Sequence, residues 1–360
     1  MQSRGNGTGC IPPWPRVMFA TGSKMTTETV KTIADIARLA GVSKATVSRA
    51  LNHSPLVSVA TRERVSAIAR EHGFEMNDSA RRLSRRQSNV IALVTYPYAA
   101  SERVPDAFVL EIMSGLTAGL HAGGYDLLVI QIASGDTSWI ARYLDSGRVD
   151  GFVLLSASCS LEHLRRLEAR GAPFVVWGLD SDSRSYGTVG GDSFAGGRMA
   201  TEHLLRTGRD RIAFIGGPST ESEVQDRYDG YVAALGAAGI AVDPALVAHG
   251  NWSPESGAAR MRALLENDGE IDAVFVCSDL MAVAAIEELH AHGLRVPDDV
   301  AVVGYDDAAI AAHSDPPLTT VRQPGPVAGR LLAESLIRRL STGAVTHVSI
   351  PAELVVRASA

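Results

Sequence analysis

The sequence predicts a small all-α module, a three-helix helix-turn-helix with a short basic segment behind it, followed by a much larger α/β domain built from two parallel-sheet subdomains. Three observations carry that prediction. Near the start, apolar residues recur at helical spacing in three short blocks separated by capping and turn residues. From Ile91 onward, short continuous apolar runs alternate with helical stretches, which is the texture of parallel strands covered on both faces. The charge also changes sign along the chain. Lys24 to Val90 holds 12 Lys or Arg against 6 Asp or Glu, whereas Ile91 to Ala360 holds 20 against 34, within a net charge of −6. A basic segment joined to an acidic remainder points to nucleic acid as a partner of the first part alone. A solvated basic face is the plain alternative.

The 360 residues suggest two or three domains at roughly 150 residues each. Residues 1–28 are expected to form a disordered extension: they are rich in Gly and Pro and lack the apolar core of a signal peptide. Met25 is a second candidate start, because organised sequence begins just after it. The headpiece is placed at 29–76. Ile33, Ile36, Ala37 and Ala40 form one helical stripe, Thr32 and Asp35 have capping-box spacing, and Gly41 suits the turn that follows. Ser43 caps the next helix, which buries Val47, Ala50 and Leu51. Ser58 caps a third, carrying Val65, Ile68, Ala69 and His72 and ended by Gly73. Residues 77–88 are placed as a linker, and 89–360 as the α/β domain. Its strands are expected at Val90–Val94, Leu127–Ile130, Phe152–Leu155, Phe174–Trp177, Ile212–Ile215, Val274–Val276 and Val300–Val303. Helices are expected at Ala107–His121, Phe194–Arg206, Val224–Ala238 and Leu280–His292. Cys10, Cys159 and Cys277 show no paired spacing, which suggests a reducing, cytoplasmic setting and no metal site. No run approaches the roughly 20 apolar residues of a membrane span.

In a helix-turn-helix the second helix enters the major groove and its first residues face base edges. Burial of Val47, Ala50 and Leu51 turns Lys44, Ala45, Ser48, Arg49 and Asn52 outward, with Thr46 beside them. Lys and Arg donate to guanine O6 and N7, and Ala touches a thymine methyl. Thr32, Ser43 and Ser58 lie at helix starts, where free N–H groups attract phosphate.

The run Thr32-Ile-Ala-Asp-Ile-Ala-Arg-Leu-Ala-Gly-Val-Ser-Lys-Ala-Thr-Val-Ser-Arg-Ala-Leu-Asn52 closely resembles the headpiece of the lactose- and galactose-repressor (LacI/GalR) family. The likeness continues through Val57-Ser58, Thr61-Arg62-Glu63-Arg64-Val65 and Gly73-Phe74. For Asn77 to Arg86, which alone reads as a flexible basic linker, the resemblance implies a hinge helix that folds on the operator. Ala80 and Arg81 would then contact DNA, and Leu83 would wedge into the minor groove. Paired hinges imply a homodimer on a near-palindromic operator of two half-sites.

The resemblance extends through Val149-Asp150-Gly151-Phe152, Gly216-Gly217, Arg227-Tyr228-Asp229-Gly230-Tyr231, Ser278-Asp279, Val296-Pro297-Asp298-Asp299-Val300, Val303-Gly304-Tyr305-Asp306-Asp307 and Leu318-Thr319-Thr320-Val321. It implies for 89–360 a periplasmic-binding-protein-like effector domain, serving ligand binding and dimerisation, with a ligand cleft between its subdomains. Arg227, Asp306, Trp252 and Gln323 match the family's ligand-contacting positions, and Phe108 and Trp177 are candidates to line the other side. Each has a plainer reading: Arg227 and Asp306 as a structural ion pair or as surface charges, the aromatics as core. Asp279 reads equally as a helix cap or a ligand contact. Gly178 and Ser278 depart from residues that several relatives carry, so no relative's sugar transfers directly. Phe174-Val-Val-Trp-Gly178 is similar to regulators responding to glucosides.

The function expected is therefore a sequence-specific transcriptional regulator, a repressor of carbohydrate-utilisation genes whose operator binding is controlled by a small sugar or glucoside, without cofactor, metal or catalytic residues. Sugar-induced release from DNA is the default sign, with corepression the reverse setting of the same switch. Two rivals come from other classes. A sugar-binding transport receptor would need an export signal and no headpiece. An enzyme on the α/β scaffold would show a phosphate loop or nucleophile elbow at a strand–helix junction. The end at Leu354-Val-Val-Arg357, with no heptad tail, favours a dimer over a tetramer.

Overall fold

The computed structural model describes residues 32–52, 54–74, 87–95, 107–133, 135–155, 160–178, 185–266 and 270–360. The expected N-terminal extension with Met25, the hinge contacts Ala80, Arg81 and Leu83, and two of the cysteines, Cys10 and Cys159, lie outside the described residues. The chain divides into two units, Met1–Arg81 and Arg82–Ala360.

In the first unit, α1 (Ile33–Ala40), α2 (Lys44–Leu51) and α3 (Val59–Glu71) follow their local code. The expected capping box forms: Asp35 N donates to Thr32 Oγ1 at 3.3 Å and Thr32 N to Asp35 Oδ2 at 3.0 Å. Gly41 closes α1 in the left-handed region at φ 61°, where a side chain would be strained. Ser43 and Ser58 cap α2 and α3 by accepting from Thr46 N (3.1 Å) and Thr61 N (3.3 Å). The core is Ile36, Ala37, Ala40, Val47, Ala50, Val57, Val65 and Ala69. Arg62 fastens the intervening loop by donating from Nη2 to the Val57 carbonyl at 3.3 Å. His72, placed on the buried stripe of α3 by its spacing, is exposed, because the helix ends at Glu71 and His72 is its C-cap.

The second unit holds two six-stranded sheets. The first has the order β11-β5-β4-β3-β1-β2, all parallel, from β1 (Val90–Thr95), β2 (Asp126–Gln131), β3 (Gly151–Leu155), β4 (Phe174–Trp177), β5 (Gly187–Gly191) and β11 (His347–Ile350). The second has the order β12-β10-β9-β8-β6-β7, from β6 (Ile212–Gly216), β7 (Val247–His249), β8 (Ala273–Val276), β9 (Ala301–Asp306), β10 (Thr319–Arg322) and β12 (Glu353–Val355). Its pairings are parallel, as expected, apart from the edge strand β12, which runs antiparallel to β10. All seven expected strands are present; β5, β7, β10, β11 and β12 are additional.

Helices cover both faces of each sheet, as continuous apolar strands require. In the first subdomain α4 (Ala107–Ala122) packs on one face, while α5 (Leu161–Ala169) and Trp139 cover the other. The second carries α6 (Ser193–Arg206), α7 (Ser222–Ala237), α8 (Pro254–Glu266) and α9 (Asp279–Ala291). The last long helix, α10 (Gly325–Thr342), returns to the first subdomain and packs on α4. The chain therefore passes between subdomains three times: after β5, after β10 and after β11. The passages lie side by side: Asp192 N donates to the Ile350 carbonyl at 2.9 Å, and Gln323 and Pro324 border the same recess as Asp192 and Pro351.

Candidate nucleic-acid interface and effector cleft

The headpiece presents Thr32, Ser43, Lys44, Ala45, Arg49 and Ser58 as exposed residues, with Thr46 and Ser48 partly so. Val47 and Ala50 face the core, so the start of α2 is free to meet a groove. Several of these hydroxyls are already engaged: Ser43 Oγ and Thr46 Oγ1 lie 2.8 Å apart, and Ser58 Oγ donates to Thr61 Oγ1 at 2.9 Å. Asn52 departs from the expected outward set. It is partly buried at the C-cap of α2, and its Nδ2 donates to the Ser48 carbonyl at 2.8 Å. A base contact from Asn52 requires that bond to be exchanged.

In the second unit, the candidate ligand residues fall at strand ends and helix starts and form two walls. Arg227, in α7, is buried. Its guanidinium lies 3.7 Å from the Tyr305 ring centroid and 5.8 Å from that of Trp252, and Nη1 donates to the Cys277 carbonyl at 2.7 Å. Its Nε, also buried, has no hydrogen-bond partner among the described residues, an uncommon state for a charged group. Asp306 ends β9, and Gln323 Nε2 donates to its Oδ1 at 2.7 Å. Trp252 lies flat against Gly217, where any Cβ would collide with the indole. Its Nε1–H is shared between Glu221 Oε1 and Oε2, both at 3.1 Å.

Backbone strain marks the same wall. Trp252 (φ 68°), Asp306 (φ 119°) and Asp307 (φ 58°) occupy the left-handed half of conformational space without being glycine. Such positions persist where surrounding contacts over-determine them, and they gather at ligand clamps. Asp307 is fixed by Arg322 Nε (2.7 Å) and Arg357 Nη2 (2.5 Å).

The opposite wall is aromatic. Phe108 at the start of α4 and Trp177 at the end of β4 meet with ring centroids 5.3 Å apart and planes tilted by 58°. Trp177 is both core and lining: it packs in the first subdomain and also borders a recess of about 210 Å³, counting the solvent at its mouth, together with Asp192, Tyr305, Gln323, Pro324 and Pro351. The fold thus brings Arg227, Trp252, Asp306 and Gln323 together as one group and pairs Phe108 with Trp177 as another; of these six, Trp177 and Gln323 line the recess, and Phe108, Arg227, Trp252 and Asp306 do not.

Asp279 resolves to structure. Fully buried, it accepts from Thr320 Oγ1 at 2.5 Å and Ala308 N at 2.8 Å, tying α9 to β10, and burial pushes its carboxyl up to about 7. Ser278 caps α9. Two residues of the charged wall escaped the sequence reading. Tyr305 stood in a quoted motif but carried no sign that Arg227 would lie on it. Glu221, at the N-cap of α7, makes no side-chain cap bond; its carboxylate turns to Trp252, and burial pushes it up to about 7. Nothing in the local sequence marks a Glu as the partner of a Trp 31 residues away. Among the described residues no cluster of His, Cys, Asp and Glu suits a metal, and no helix is long and apolar enough to cross a membrane.

Comparison with known proteins places this geometry. Residues 32–77 match the profile for bacterial regulatory proteins of the lacI family, and residues 201–360 match a periplasmic binding protein-like domain. The HTH-type transcriptional regulator CelR of Thermobifida fusca is 39% identical over 321 residues, spanning 88% of this chain and 93% of the relative. The ribose operon repressor of Escherichia coli (strain K12) is 33% identical over 86% of this chain and 93% of its own length. Among solved structures, a transcriptional regulator CelR–cellobiose complex superposes with a TM-score of 0.72 at 37% identity, covering 91% of this chain and 99% of that one. A lac repressor dimer bound to operator and the anti-inducer ONPF gives a TM-score of 0.78 at 28% identity, covering 91% and 98%. With relatives this similar along nearly its whole length, the chain belongs to the LacI family of bacterial regulatory proteins.

Proposed function

We propose that this chain is a transcriptional repressor of carbohydrate-utilisation genes that binds a two-half-site operator as a cytoplasmic homodimer and is released by a small sugar, with a glucoside disaccharide as the first candidate. Family membership supports the regulator. The effector class rests on the cleft: the observation that carries it is the buried Arg227, stacked on Tyr305 with an unpartnered N–H, beside the Asp306–Gln323 pair and the indole of Trp252. Planar donors and acceptors fix sugar hydroxyls, and aromatic faces cover the C–H surface of the ring. Two aromatic surfaces on opposite walls, Trp252 and Phe108–Trp177, offer stacking for more than one ring. Cellobiose, held by the CelR neighbour, has that chemistry.

Lys44 and Arg49 are proposed to read base edges with Ala45, Ser48 and Asn52, while Thr32, Ser43, Thr46 and Ser58 contact phosphate. Ala80, Arg81 and Leu83 are proposed as hinge contacts. The protein is proposed to have no catalytic activity. The test is a tryptophan-fluorescence titration with cellobiose, glucose and ribose, paired with electrophoretic mobility shift on a duplex that the protein selects from a random pool. Cellobiose should saturate the fluorescence change and dissociate the complex. Sugar binding without any effect on the DNA complex would refute the coupled reading, and chromatography after long incubation should recover the sugar intact.

A further inference from the structure

A carboxylate device occurs twice in the second unit. Asp150, one residue before β3, accepts from Ser88 N (2.7 Å), Ser88 Oγ (3.0 Å) and Asn89 N (2.8 Å). Its own N–H donates to the Val90 carbonyl at 2.8 Å, and Asp126 N donates to the Asn89 carbonyl at 2.8 Å. Asn89 turns the chain at φ 53°, and Ser88 is buried. The two residues preceding β1 are thereby tied to the starts of both strands that flank it. In the second subdomain Asp272, one residue before β8, accepts from Asp210 N (3.0 Å) and Arg211 N (3.1 Å), and its N–H donates to the Arg211 carbonyl at 3.2 Å. The strand registers correspond, Ile91 opposite Gly151 and Ile212 opposite Ala273, with the donor pair one residue nearer the strand in the second copy. In each case a carboxylate sits on two consecutive backbone N–H groups where the chain enters a sheet, which makes charge-assisted bonds, shorter at Asp150 than at Asp272.

The copies differ in what lies upstream. Before Asp210 comes a short turn from α6, within the same subdomain, so the Asp272 device only closes a local turn. Before Ser88 comes the segment that joins the sheet to the DNA-reading unit. There the device has an extra donor, the Ser88 hydroxyl, and it fixes the direction in which the chain leaves the sheet. β3 runs from this point toward the cleft, beside β4, whose last residue is Trp177.

We propose that Asp150 is a positioning residue for operator binding: it pins the end of the linker to the first sheet, so that movement of that sheet reaches the headpieces rather than being absorbed by slack chain. This rests on the reading of the protein as an operator-binding regulator. Asp272 is its internal control, with the same chemistry and no linker.

The experiment compares full-length wild type, Asp150→Asn, Asp272→Asn and Ser88→Ala. Each is assayed by fluorescence anisotropy on the duplex that wild type selects from a random pool, by cellobiose titration without DNA, and by thermal melting. Asp150→Asn and Asp272→Asn should lower Tm by similar amounts and leave cellobiose affinity unchanged. Asp150→Asn should weaken duplex binding roughly five-fold or more, the low end of ordinary coupling between sites, whereas Asp272→Asn should not. Ser88→Ala, which deletes one donor and leaves β3 intact, should weaken it in the same direction by a smaller factor, and it decides the matter if Asp150→Asn does not fold. Equal duplex affinity for the two Asp variants, or a folded Ser88→Ala indistinguishable from wild type in that case, overturns the proposal. A wild-type protein that enriches no duplex overturns the operator reading itself, and the role of Asp150 with it.

Discussion

The two walls of the cleft are built from different chemistry. The first subdomain offers Phe108 and Trp177, a tilted aromatic pair continuous with the core of its sheet. The second offers Arg227, Asp306, Gln323 and Glu221, a hydrogen-bonded polar set, with Trp252 and Asp306 held at strained backbone angles. In the proposed sugar site the aromatic wall would be tolerant, because stacking on a sugar ring varies little with hydroxyl orientation. The polar wall would be selective, because a buried donor or acceptor left without its partner costs far more than a lost apolar contact. Affinity is thus expected to be spread over both walls, and discrimination to sit on one.

The largest test of that contrast is Arg227→Ala. Loss of charged hydrogen bonds to the sugar should cost about 3 kcal/mol of binding free energy by calorimetry, and Arg227→Lys should not restore it, since the planar fork and the stack on Tyr305 are lost. Asp306→Asn should cost about 2 kcal/mol, keeping the shape while removing the charge. A normal affinity in both variants would leave the polar wall without its role. Next come Lys44→Ala and Arg49→Ala, each weakening selected-duplex binding by ~1–3 kcal/mol if a bidentate base contact is lost. Neither should change sugar affinity, and a change would tie the headpiece to the cleft in the free protein. Phe108→Ala should cost only about 1 kcal/mol and should narrow the preference for a disaccharide over a monosaccharide without altering selection between epimers.

The smallest effect is a slope. Burial raises the Glu221 carboxyl from 4.5 to about 7, so between those values the folded protein holds a proton that the unfolded chain has released. Stability therefore falls as pH rises through that window and levels off above it. Glu221→Gln should flatten this part of the melting-temperature profile relative to wild type. An unchanged profile would mean that the carboxylate is better solvated than its contacts with Trp252 imply.

Legibility in the sequence followed the physics of each part. The headpiece was readable almost residue by residue, because caps and stripes are local. Thr32–Asp35, Ser43 and Ser58 act as their spacing requires. The seven apolar runs were readable as strands because a central parallel strand is apolar on both faces. β5, Gly-Thr-Val-Gly-Gly, was not, since three glycines carry no β signal although the strand is buried. β10 begins with two threonines whose burial is made tolerable by partners far away in sequence: Thr320 donates to Asp279, and Thr319 N to Ser359 Oγ at 2.8 Å. That α10 belongs to the first subdomain is a property of chain crossing that no periodicity records. The cleft set spans positions 108 to 323. Likeness to known regulators suggested Arg227, Trp252, Asp306 and Gln323, position beside a predicted strand suggested Phe108 and Trp177, and Glu221 and Tyr305, which no local pattern marks, emerged from the folded geometry.

The three side-by-side passages between the subdomains have a mechanical corollary. A single strand would let one lobe wag and swivel freely against the other. Three abreast act like a piano hinge, leaving one cheap direction of swing and resisting twist and shear. A bound molecule would then act mainly through the angle at which the door rests, so compounds of different shape that prop it equally should be equivalent as signals once each fills the cleft.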